Sequence, residues 1–124
     1  MVYGIGTDFL HLSRLEPLKN SWDDSFFLRT YTDEERKAAL ARPEPLLYFA
    51  DRFAGKEAVY KALSLPPELD RLKEIEILNN DAGRPFVRLY GKIADYAASV
   101  GVQRVLVSLS YDGDTAVAFA LCEE

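Results

Sequence analysis

Three stretches of this sequence carry side chains whose types and spacing can do chemistry. In Phe53-Ala54-Gly55-Lys56-Glu57-Ala58-Val59-Tyr60-Lys61 a carboxylate and an ammonium stand four residues apart. At about 100° per residue along a helix, Glu57 and Lys61 point between Phe53 and Ala54, beside Ala50, into a small and apolar sector. An exposed ion pair at that spacing contributes only ~0.2 to 0.5 kcal/mol. Phe49, Val59, Tyr60, Ala62 and Leu63 make the remaining sides apolar as well, so the helix is predicted to be buried. Charges in such a setting are costly unless they serve a cation or an anion. Asp8 is the second candidate, an acid inside an apolar segment and preceded by Gly4 and Gly6. It either satisfies neighbouring backbone amides or joins Glu57 in a hard oxygen site of the kind Mg²⁺ uses, with one or two carboxylates and the rest from water and phosphate. Third, Gly83-Arg84-Pro85 reads as a hairpin turn whose basic side chain can also clasp a phosphate. Ser108-Leu109-Ser110-Tyr111 reads first as strand alternation with two hydroxyls on one face.

Short elements must position these groups. Residues 2 to 12 have the Val, Tyr, Ile, Phe and Leu content of a strand, and the two glycines predict a bulge or a close backbone approach near Asp8. Ser13 can cap a short helix through Lys19, and Trp22 to Arg29 has a second helical pattern. Thr32 and Glu35 stand at capping-box spacing and open a third helix to about Arg42. Pro45 suits a first helical turn, so Leu46 to Leu63 reads as the central helix, stopped by Ser64-Leu65-Pro66-Pro67. Period-two segments at 74–78 and 85–89 flank the turn Asn79-Asn80-Asp81-Ala82-Gly83 and predict a hairpin. A helix over Gly91 to Ser99 and two strands, Arg104 to Ser110 and Thr115 to Leu121, complete the reading. The expected class is α+β, a mainly antiparallel sheet packed against a long central helix and shorter helices.

Composition narrows the function classes. At 124 residues, with 48% apolar and 12% aromatic side chains, one domain spanning 1–124 with a single packed core is expected. One cysteine and one histidine exclude a disulfide framework, a CxxC pair and a zinc site within the chain. Twenty acidic against fifteen basic residues, a net charge of −5, argue against a whole-surface grip on nucleic acid. No apolar run approaches the ~20 residues of a membrane span, and the N-terminus reads directly as a strand without a signal sequence, so a cytoplasmic chain is expected.

Taken together and in order, these segments resemble the holo-acyl-carrier-protein synthases of the 4′-phosphopantetheinyl transferase superfamily. Gly4-Ile5-Gly6-Thr7-Asp8 is similar to the family's first motif, and Arg52 through Leu63 to its second, a (W/F)xxKExxxK pattern. Arg29 through Glu35, Ile75-Glu76-Ile77 with Gly83-Arg84-Pro85, and Ser108-Leu109-Ser110 with Ala116-Val117-Ala118-Phe119 extend the match nearly end to end. The resemblance implies transfer of phosphopantetheine from coenzyme A to a serine of an acyl carrier protein, releasing 3′,5′-ADP, in support of fatty acid biosynthesis. It implies a homotrimer with active sites shared between neighbouring subunits. It also implies Mg²⁺ on Asp8 and Glu57, with Lys61 on the phosphates and either Glu57 or a water on the metal taking the serine proton. Arg52, Gly83, Arg84 and Pro85 would contact the 3′-phosphate and adenosine, Ser110 would lie near the pyrophosphate, Tyr111 would also bind the coenzyme, and Arg14 would meet the carrier protein. The chain departs from the family pattern in having Tyr111 where histidine is common and His11 where many relatives carry an acid. Ser64-Leu65-Pro66-Pro67 also replaces a glycine-containing segment. Those departures leave a second reading, a relative that binds coenzyme A or a carrier without transfer.

Overall fold

The helix that begins at Pro45 organises the molecule, and in this computed structural model, which describes all 124 residues, it runs from Pro45 to Ala62 (α3). Proline is accommodated in the first turn because its missing N–H has no intrahelical partner there. Leu63 caps the other end and Ser64 turns the chain at φ 54°, ahead of Pro66-Pro67. Ala50, Ala54, Ala58 and Ala62 recur every fourth residue and are fully buried. Side chains this short bring neighbouring backbone in close.

Strand β1 (Val2–His11) exploits that closeness. A Cβ on Gly4 would lie 2.2 Å from the carbonyl oxygen of Ala62, and one on Gly6 would lie 2.1 Å from that of Ala58. Backbone therefore packs on backbone along this seam, the close approach expected from the two glycines. The last strand, β5 (Thr115–Glu123), presents Ala116, Ala118, Ala120 and Cys122 to the same interior. It pairs antiparallel with β1 on one side and with β4 (Arg104–Asp112) on the other, giving the order β1-β5-β4. A separate antiparallel pair, β2 (Ile75–Asn79) and β3 (Pro85–Leu89), forms the expected hairpin. The class is α+β with antiparallel pairing, as expected, and the strands divide between two small sheets.

The shorter elements sharpen the sequence reading. Where a helix from Ser13 to Lys19 was expected, two 3₁₀ turns occur, Leu12–Arg14 and Glu16–Leu18, and no side chain caps the first. Pro17 lacks the N–H that a continuous helix needs, which favours breaking the segment in two. Helix α1 covers only Ser25–Thr30, because Asp24 accepts from the Phe26 amide at 2.9 Å and sets the start. Helix α2 (Asp33–Leu40) has the full Thr32/Glu35 capping box and stops short of Arg42, which precedes Pro43. Helix α4 (Gly91–Ser99) matches its predicted span. Phe27, Tyr31 and Phe49, flanked by Trp22 and Phe26, form an aromatic cluster between α1 and α3, with the Tyr31 hydroxyl donating to the Phe49 carbonyl at 2.7 Å. No helix is long and apolar enough to cross a membrane.

Candidate active site

Alternation along β1 sends Asp8 to the same side as Gly4 and Gly6, toward α3, while Thr7 and Phe9 face outward. Lys61 reaches across the seam to meet it. Its Nζ donates to Asp8 Oδ1 at 3.1 Å and to the Thr7 carbonyl at 3.0 Å. The local Glu57–Lys61 pair considered from helical spacing is not formed, because the strand offers Lys61 two oxygens that Glu57 does not have to supply. Nor is this sector buried as expected. Lys61 keeps 53% of its side chain exposed and Glu57 is half-buried, so α3 opens to solvent along Phe53, Glu57, Tyr60 and Lys61.

The carboxyl of Glu57 is raised above the ordinary carboxylate range, first by burial and then by the negative charges of Asp8 and Asp70, with Lys61 opposing. A carboxyl pushed up by a neighbouring carboxylate marks a concentration of negative charge that a divalent cation relieves. The donor set is two carboxylates, with no cluster of three or more acidic, histidine or cysteine ligands. That fits Mg²⁺, which is held by one or two carboxylates together with water and phosphate, and does not fit an all-protein cage.

A second group of predicted residues gathers elsewhere. A cavity of about 600 Å³ opens beside the N-terminal half of α3, and its wall includes Arg52, Gly83, Pro85, Ser110 and Tyr111. Arg52 is 4% exposed and rigidly placed. Its Nε donates to the Ile77 carbonyl at 3.1 Å, its Nη2 to Asn79 Oδ1 at 2.8 Å, and its guanidinium lies 4.0 Å from the Tyr48 ring centre. Gly83 holds φ 83° in the hairpin turn, where Asn80 Oδ1 accepts from the amides of Ala82 and Arg84. Arg84 itself is exposed and is not part of the cavity wall. Tyr111, 56% exposed, lies next to the end of β4 and lines the cavity. Arg14 is exposed and unpaired on the first 3₁₀ turn. Asp8, Glu57 and Lys61 do not line this cavity, so one chain carries the predicted residues as two separate groups.

Three features escaped sequence reasoning. Arg42 and Asp51 also line the cavity. Burial pushes the Asp51 carboxyl up to about 6, against the pull of Arg52 and Arg42. The fully buried charge on α3 is a different one, Lys56, whose Nζ meets Glu35 Oε1 of α2 at 2.8 Å and also donates to the carbonyls of Leu72 and Ile75. Glu35 Oε2 accepts from the Ile77 amide at 2.9 Å. Burial lowers the Lys56 ammonium while Glu35 raises it. The capping box was the available signal for Glu35, but its second role depends on residues far away in the chain.

The chain and its fold have known relatives. The 4′-phosphopantetheinyl transferase superfamily profile matches residues 4–122. The holo-[acyl-carrier-protein] synthase of Natranaerobius thermophilus is 36% identical over 121 residues, 98% of this chain and 97% of the relative. The crystal structure of the holo-[acyl-carrier-protein] synthase from Neisseria meningitidis superposes with a TM-score of 0.88 at 32% identity and covers both chains completely. A coenzyme A complex of the Chronobacterium ammoniagenes synthase superposes at 0.82 with 29% identity, over 96% of this chain and 95% of the other. By sequence along nearly its whole length and by fold, the chain belongs to the holo-[acyl-carrier-protein] synthase family and is a phosphopantetheinyl transferase.

Proposed function

We propose that residues 1–124 act as one transferase domain that moves the 4′-phosphopantetheine arm of coenzyme A to a serine hydroxyl of an apo acyl carrier protein, releases 3′,5′-ADP and requires Mg²⁺. The observation that carries this reading is the division of the functional residues into an acidic group with a lysine and a separate, arginine-bearing cavity of about 600 Å³. In the proposal Asp8 and Glu57 hold Mg²⁺, which when bound offsets charge on the pyrophosphate. Lys61 gives up part of its contact with Asp8 and Thr7 to donate to the departing phosphate. Arg52 and the Gly83-Arg84-Pro85 turn receive the adenosine end, and Ser110 and Tyr111 line its approach. Arg14 supplies a free cation for an acidic carrier surface.

The two groups of one chain become a complete site when neighbouring copies contribute opposite halves, which is the homotrimer reading. An apolar outer sheet face supports it. The cross-strand rows Ile5-Leu121-Leu106 and Phe9-Val117-Ser110, with Phe119 between them, leave Ile5 73%, Phe9 61% and Phe119 61% exposed.

Incubation with coenzyme A, Mg²⁺ and apo carrier protein, followed by intact mass measurement, tests the transfer. Phosphopantetheine should add to the carrier, and Glu57→Gln should abolish the addition. Coenzyme A binding with no mass increase on any of several carriers would instead identify a binding-only member, the reading that Tyr111 and His11 leave open.

A further inference from the structure

The cavity beside Arg52 is lined by a carboxylate that the roles above leave unused and that no donor of the chain satisfies. Asp51 Oδ1 is buried and has no hydrogen-bond partner, and Asp51 takes part in no ion pair. Its sequence neighbour Arg52 is turned away, committed to Ile77, Asn79 and the Tyr48 ring. With burial lifting it to about 6, the carboxyl is mostly ionised at neutral pH and so is purely an acceptor. A buried acceptor left without a donor costs free energy, and native chains keep few of them.

The walls indicate what supplies the donor. Leu47 and Tyr48 lie one helical turn before Asp51 on α3, and Pro85 and Leu109 complete the cavity's apolar lining. Flat apolar surfaces suit a base more than a sugar. Phosphate is repelled by a carboxylate, and the exposed Arg42 on the same wall is the cation free to meet it. The partner is therefore an uncharged N–H on a ring. Resting on the assignment of this cavity to the nucleotide end of the donor, we infer that Asp51 accepts a hydrogen bond from the exocyclic 6-amino group of the donor's purine and makes the site selective for a 6-amino over a 6-oxo purine. A 6-oxo base would bring a second acceptor to the place of the amino donor, and its N1–H would have to shift to reach the carboxylate.

Calorimetric binding of coenzyme A and of its deaminated, hypoxanthine analogue at neutral pH tests this with the whole chain. The wild type should prefer the amino form by about tenfold or more, the scale at which sites with buried polar groups reject a mismatched ligand. Asp51→Ala should bring the ratio to about one, and Asp51→Asn, whose amide can donate or accept, should do the same with little change of volume. A wild-type ratio near one, or a preference that survives in Asp51→Ala, overturns the inference. So does equal tightening of both ligands in Asp51→Ala, the signature of a carboxylate that merely repels phosphate. Exposed Arg42 separates this failure from failure of the cavity assignment: Arg42→Ala weakens both ligands if the cavity holds the donor and leaves both unchanged if it does not.

Discussion

Asp51 is held in the folded chain against the preference of its own charge. Its carboxyl stands at about 6, above an ordinary value of 3.8, so between those values the folded chain keeps a proton that the unfolded chain has released. The group's contribution to stability is therefore fully present below the lower value and is lost as pH rises through the upper one. Asp51→Asn, neutral throughout, should raise the Tm at about pH 8, with the gain shrinking across that window and absent near pH 4. Thermal denaturation followed by circular dichroism at several pH values measures it, and a gain that persists at the acid end would assign the effect to something other than burial of charge. Single residues were unevenly legible. Asp8, Glu57 and Lys61 stood out because each puts charge among apolar neighbours. Asp51 did not, because a lone acid on a helix reads as an ordinary solvated side chain, and only the fold brings the hairpin turn and β4 beside it.

Elements carry the precision of the site. Asp8 meets Lys61 because β1 and α3 touch through backbone, and nothing in that seam can rotate aside. A methyl on Gly6 would also lie 2.8 Å from the Ala62 amide, so Gly6→Ala must push strand and helix apart. Overpacking of this kind costs about 3 kcal/mol, or a Tm lower by about 10 °C, and should reduce transfer more than stability alone accounts for. Native-like transfer and Tm in that variant would contradict the packing described. The local signals served well here: the capping box of α2, Pro45 at the start of α3 and the turn between β2 and β3 each fall where spacing places them. They failed where pairing is long-range. Lys61 chose an acid 53 residues away over one four residues away, and Lys56 and Glu35, both fully buried, join α3 to α2 without any periodic signature. That pair is a positioning device. It holds α2 and the start of β2 through Ile77, whose carbonyl in turn fixes Arg52.

The whole molecule presents an apolar sheet face beside a strand that bears Asp8. Covering that face with further copies of the chain would remove Ile5, Phe9 and Phe119 from water together. Phe119→Asp should leave the far-ultraviolet spectrum intact, convert a species of about 42 kDa into one of 14.0 kDa by light scattering, and abolish transfer. A wild-type chain that runs as an active monomer would overturn the shared-site reading. The net charge of −5 gave no sign of this, since it describes the total, while Arg14, Arg42 and Arg84 are exposed individually.

The strand order has a consequence for synthesis. β1 pairs with β5 and with no other strand, and the Thr7 hydroxyl bonds a carbonyl 111 residues further along. During translation the first strand therefore emerges with its backbone N–H and C=O groups unpaired and waits through almost the whole chain for its partner. Contacts this distant in sequence close slowly and leave an adhesive edge unprotected in the meantime. The nascent chain is most vulnerable to aggregation just before β5 is released, and a chaperone that shields its first eleven residues would protect the sheet while it is still incomplete.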